Sequence, residues 1–121
     1  MTNRILIVDD QPGIRMLLGE IMKGEGYEIF SAKTGKQACE IMETEHPDLT
    51  IMDYHLPVMD GKEVLSYFNE KGFHNPVLII TGSSEESIIE HTRYPFVREI
   101  ISKPFDIHKM REMVTNILVR S

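Results

Sequence analysis

The strongest constraint on this chain is an alternation. Five short strand-like runs, Arg4–Asp9, Tyr27–Ala32, Leu49–Asp53, Pro76–Thr81 and Val97–Ser102, are separated by segments whose apolar residues recur at helical spacing. The first run, centred on Ile5-Leu-Ile-Val8, is too uniformly apolar for a strand with one wet face. Such a strand is buried on both faces, as in a parallel sheet covered by helices. Strand and helix in turn predict an α/β fold, a doubly wound five-stranded parallel sheet with five helices.

Punctuation residues fit this reading. Pro12 suits a first helical position, and Ile14, Leu17, Leu18, Ile21 and Met22 follow it before Gly24 and Gly26. Thr34-Gly-Lys-Gln37 and Asp60-Gly-Lys-Glu63 read as capping boxes. The first opens a helix through Ala38, Ile41 and Met42, and the second a helix with Val64, Leu65 and Phe68 inward. Ser83-Ser-Glu-Glu86 predicts a short fourth helix that stops near Pro95. Asp106 caps a last one carrying Ile107, Met110, Met113, Val114, Ile117 and Leu118.

The 121 residues suit one domain, expected over 1–121. No apolar run approaches the ~20 residues that span a bilayer. The N-terminus lacks the pattern of a secretory signal. One cysteine, Cys39, precludes an internal disulfide and fits a reducing cytoplasm. A net charge of -6 without a Lys/Arg cluster argues against direct nucleic-acid binding.

Several strands end on functional groups. The first ends on Asp9-Asp10, the third on Asp53 and the fourth on Thr81, while Lys103 follows the fifth. In open α/β sheets ligands bind outside the carboxyl strand ends. If these strands are neighbours, the groups meet at one edge. Carboxylates about 5 Å apart repel by roughly 3 kcal/mol per pair at an effective dielectric of about 20, a cost that stability alone does not select. A hard divalent cation and a nearby ammonium would relieve it. Taken singly these residues have plainer readings. Asp9-Asp10 suits a solvated loop, Thr81 a strand end, Asp60 and Ser83 helix caps, and His46, His74, His91 and His108 the surface. Gly61 reads as a backbone conformation that other residues resist.

Val8-Asp9-Asp10, Asp53-x-x-x-Pro57-x-x-Asp60-Gly61, Thr81-Gly82 and Lys103-Pro104-Phe105, in this order and at strand ends, together resemble the receiver domain of bacterial two-component response regulators. The resemblance covers essentially the whole chain. It implies the flavodoxin-like (CheY-like) strand order 2-1-3-4-5. Within the family, Ile5–Gln11, Gly13-Ile14-Arg15 and Lys103–Ile107 resemble the single-domain type that serves as a sporulation phosphorelay intermediate.

The resemblance implies a chemistry. Asp53 would accept a phosphoryl group from a phosphohistidine on a sensor histidine kinase or histidine phosphotransfer protein. Mg²⁺ (or Mn²⁺) would be held by Asp10, Asp53 and the backbone carbonyl of His55, with Asp9 acting through metal-bound water. Lys103 and Thr81 would contact phosphoryl oxygens, and the Thr81 loop would move as the switch toward a downstream protein partner. The chain is then expected to be a cytoplasmic monomer, off the membrane, and a signalling phosphoacceptor, not an enzyme, with at most slow self-dephosphorylation. The resemblance also implies a cis peptide between Lys103 and Pro104.

One departure concerns the position three before Lys103. The family often carries Tyr or Phe there, and this chain has Ile100. Phe96 and Val97 stand where small residues are usual. Two rival functions are weaker. A phosphohydrolase with an aspartyl-phosphate intermediate often has an acid two residues after its nucleophile, where this chain has His55. An FMN-binding flavodoxin needs a phosphate cradle where this chain has the acidic Asp9-Asp10-Gln-Pro-Gly13.

Overall fold

The computed structural model describes residues 2–82 and 94–120. Strands β1 (Arg4–Val8), β2 (Glu28–Ala32), β3 (Leu49–Asp53), β4 (Val77–Thr81) and β5 (Val97–Ser102) form one parallel sheet in the order β2-β1-β3-β4-β5. This is the expected 2-1-3-4-5 arrangement. Helices α1 (Pro12–Gly24), α2 (Gly35–Glu45), α3 (Gly61–Lys71) and α4 (Ile107–Arg120) are the four among the described residues. The helix expected from Ser83 lies outside them.

Burial follows strand position. β3 and β4 are buried at every residue, and β1 at all but Arg4. The edge strands β2 and β5 are mixed. Alternation along the central strands sends side chains to two separate cores. Leu6, Val8, Met52 and Ile79 pack with Met42, Val64 and Phe68 of α2 and α3. Ile5, Ile7, Ile51, Leu78 and Ile80 pack with Leu18, Met22, Met110, Val114 and Ile117 of α1 and α4.

The expected caps form. Thr34 Oγ1 accepts the Gln37 N–H at 3.1 Å, and Gln37 Oε1 accepts the Lys33 N–H at 2.9 Å, one residue earlier than a standard capping box. Asp60 caps Glu63 N–H, and Asp106 caps His108 and Lys109 N–H, which holds the Asp106 carboxyl below the usual carboxylate range. β4 starts at Val77 because Pro76 has no N–H to donate, although its carbonyl accepts Thr50 N–H at 3.0 Å. β1 likewise stops one residue short of Asp9.

The reading of Gly61 needs correction. Its backbone is not left-handed, and what it supplies is space. A Cβ there would lie 2.6 Å from the Tyr54 carbonyl oxygen, which accepts Gly61 N–H at 2.9 Å. Gly35 is tighter still, since a Cβ would meet the Met59 carbonyl. The β3–α3 connection is thus pressed onto the first turn of α2. Gly35→Ala is expected to destabilise the fold by about 2 kcal/mol or more, whereas Gly13→Ala, with open space around it, changes stability by less than about 1 kcal/mol. Urea unfolding of the two variants checks this.

Candidate functional site

Parallel pairing aligns the strand ends. Val8 is opposite Met52, Asp53 opposite Ile80, and Thr81 opposite Ser102. Beyond these pairs the main chain continues in step. Asp9 N–H donates to Ala32, Tyr54 N–H to Ile80 and Lys103 N–H to Thr81. Asp9, Asp10, Asp53, Thr81 and Lys103 therefore converge at one sheet edge, as their sequence positions predict. Asp9, Asp53 and Thr81 are 1%, 5% and 0% exposed, three of the buried polar residues in an otherwise apolar layer.

Each carboxylate has a defined setting. Asp53 Oδ2 lies 2.8 Å from Lys103 Nζ, and Asp53 Oδ1 accepts His55 N–H at 3.0 Å. Asp9 Oδ1 accepts Gln11 N–H at 2.8 Å. Asp9 Oδ2 is buried 3.7 Å from Lys103 Nζ, with no hydrogen-bond donor among the described residues. Asp10 is exposed at the rim. Asp9, Asp10 and Asp53 each offer an oxygen within 4.8 Å of the others.

The charges perturb one another. Burial raises the Asp9 carboxyl above its ordinary range, partly offset by Gln11 N–H and Lys103. Burial also pulls Lys103 down, but the hydrogen bond and charge of Asp53, with Asp9 and Asp10, outweigh it and leave the ammonium raised. Among the described residues one ammonium serves three carboxylates, which leaves these groups with more negative than positive charge. The clustered oxygens, the unbonded Asp9 Oδ2 and the all-oxygen donor set fit a hard divalent cation.

Other expected residues fall as follows. The side chain of His55 is exposed, and its backbone reaches the site. Ile100 is half-buried against the α2–α3 core. Phe96 is buried and stacks between Tyr94 and His74, with centroids 5.2 and 5.7 Å away. Cys39 is buried, and that burial, with Glu43 and Glu40 nearby, pushes its thiol up to about 12. His46, His74 and His108 are exposed; His91 and Ser83 lie outside the described residues. The Lys103–Pro104 peptide is cis, as expected. Leu18 and Met22 are buried, Ile14 and Phe105 half-buried, and Leu17 45% exposed. Sequence reading missed the left-handed backbone of Val58 and Met59. It also missed that the Arg15 guanidinium donates to the Asp9 carbonyl at 2.7 Å. The first left no signal, because neither residue type favours that conformation.

Comparison with known proteins agrees with this geometry. The family model described as the response regulator receiver domain matches residues 5–115. Sporulation initiation phosphotransferase F of Bacillus subtilis is 40% identical over 118 residues, 98% of this chain and 95% of that protein. The alkaline phosphatase synthesis transcriptional regulatory protein PhoP of Bacillus subtilis is 33% identical over 100% of this chain, which spans 50% of that relative. A solved response regulator receiver domain protein (CheY-like) from Methanospirillum hungatei superposes with a TM-score of 0.92 at 27% identity, over 99% of this chain and 96% of that one. With the match running from β1 into the last helix, this chain belongs to the response regulator receiver domain family.

Proposed function

We propose that Asp53 accepts a phosphoryl group from a phosphohistidine on a sensor histidine kinase or a histidine phosphotransfer protein. The observation that carries this is the setting of Asp53, a buried carboxylate held by one ammonium at 2.8 Å beside two further acids. An Asp53 oxygen bonds to phosphorus as the P–N bond to the donor imidazole breaks, and the electron pair leaves with that nitrogen. Lys103 then exchanges its carboxylate partner for a phosphoryl oxygen. The Thr81 hydroxyl accompanies it from the end of β4, drawing its loop inward.

Asp10, Asp53 and the backbone carbonyl of His55 would hold Mg²⁺ (or Mn²⁺), with Asp9 acting through water. When bound, the cation neutralises charge that gathers on the transferring oxygens. Gly82, small and exposed, keeps the approach open. The product is a switched protein, so we class the chain as a cytoplasmic signalling phosphoacceptor with slow self-dephosphorylation, not as an enzyme turning over metabolites. With Ile100 in place of an aromatic ring, the switch does not run through a ring flip at that position. Among the described residues no helix is long and apolar enough to cross a membrane.

The donor must bring its histidine into line with Asp53, so it docks over the strand ends. Half-buried Ile14 and Phe105, with exposed Leu17, offer it an apolar surface beside the pocket, rimmed by Gln11 and Arg15.

Acetyl phosphate with Mg²⁺ is expected to add one phosphoryl group by mass, and Asp53→Asn to abolish it. Undiminished labelling of that variant would sink the assignment. In Mg²⁺ titrations by calorimetry, Asp10→Asn weakens binding more than Asp9→Asn, and matching curves would contradict the ligand roles. Ile14→Ala slows transfer from an autophosphorylated histidine kinase and spares labelling by acetyl phosphate, while Ile100→Ala spares both.

A further inference from the structure

Val58 sits in a backbone conformation that does not suit its side chain. Its φ is 47°, and that of Met59 is 81°. A β-branched side chain is an outlier in this left-handed region, where glycine enters freely. Val58 is 66% exposed, so burial offsets little of the strain. The neighbours prevent relaxation. The Val58 carbonyl accepts Lys36 N–H at 3.3 Å, the Met59 carbonyl fills the space above Gly35, and Met59 Sδ lies 3.8 Å from Cys39 Sγ.

Val58 stands five residues after Asp53, on the connection leaving the carboxyl end of β3. A partner delivering a phosphoryl group to Asp53 must cover that edge. Ile14 and Leu17 lie on α1, which packs on one face of the sheet, and the Val58 connection leans on α2 at the other. The acidic pocket is thus flanked by apolar groups on both sides. An exposed apolar residue held in place on such a rim gains burial when a second molecule covers it.

We infer that Val58 is a specificity-determining contact for the histidine-bearing phosphodonor, burying its isopropyl group against an apolar side chain beside the donor's phosphohistidine. This rests on Asp53 being the phosphoacceptor. A small donor that enters the pocket without covering the rim does not touch Val58.

The test compares Val58→Gly, Val58→Ala and Val58→Ile with the unmutated chain. Donors are a panel of autophosphorylated histidine kinases and, as the protein-free donor, phosphoramidate. Val58→Gly removes the strain and is expected to raise Tm by about 2–5 °C. It should slow transfer from the kinases that load the unmutated chain fastest by about ten-fold, the factor that burying one valine side chain supports. The loss falls on apparent KM, with the maximal rate kept, and phosphoramidate labelling is unchanged. Val58→Ala slows kinase transfer without the gain in Tm, and Val58→Ile retains transfer. Unchanged rates with every kinase for both truncations would overturn the inference. So would equal slowing with phosphoramidate, or no rise in Tm for Val58→Gly. Failure of phosphoramidate to label Asp53 in the unmutated chain is a separate result, which removes the phosphoacceptor reading and this inference with it.

Discussion

The ion pair between Lys103 and Asp53 is the interaction on which the rest of the site depends. Two acids, Asp9 and Asp53, are buried at the end of an apolar sheet, and burying a charge is costly unless it is paired and hydrogen-bonded. The ammonium at 2.8 Å from Asp53 and 3.7 Å from Asp9 makes that burial tolerable. It also leaves the pocket with surplus negative charge, since Asp10 adds a third carboxylate. A site balanced in this way holds its shape and still favours an incoming cation.

Much of this was legible in the sequence for a geometric reason. In a parallel sheet every strand runs the same way, so residues at successive strand ends share one edge. That is why Asp9, Asp53, Thr81 and Lys103, up to about ninety residues apart in the chain, can be placed together from the sequence alone. Burial on both faces made the central strands legible too, through runs such as Val77–Thr81. The caps Thr34, Asp60 and Asp106 were legible because their hydrogen bonds are local.

What was not legible came from contacts between distant segments. Gly35 reads as a residue inside a capping motif, and nothing near it announces the Met59 carbonyl against it. Gly61 invited a reading based on backbone freedom, whereas the close approach of Tyr54 explains it. Strand boundaries slipped by a residue where pairing decides them, as at Pro76 and Asp9. Val58 and Met59 run against their own preferences, because the loop between β3 and α3 is held from the side by the first turn of α2. Local sequence rules fail where another part of the fold overrules them.

Among the described residues the two cores lie on opposite faces of the sheet, and this has an evolutionary consequence. One side rests on Phe68, Val64 and Met42, the other on Leu18, Met22 and Val114. Substitutions with no shared partner tend to add in their effects on stability. A lineage can therefore remodel the α1–α4 side while the α2–α3 side keeps its packing, and the reverse. The central strands act as a firewall between two histories of mutation. A chain so partitioned can acquire new associates on one surface without renegotiating the other, and the acidic pocket at the shared edge stays common to both.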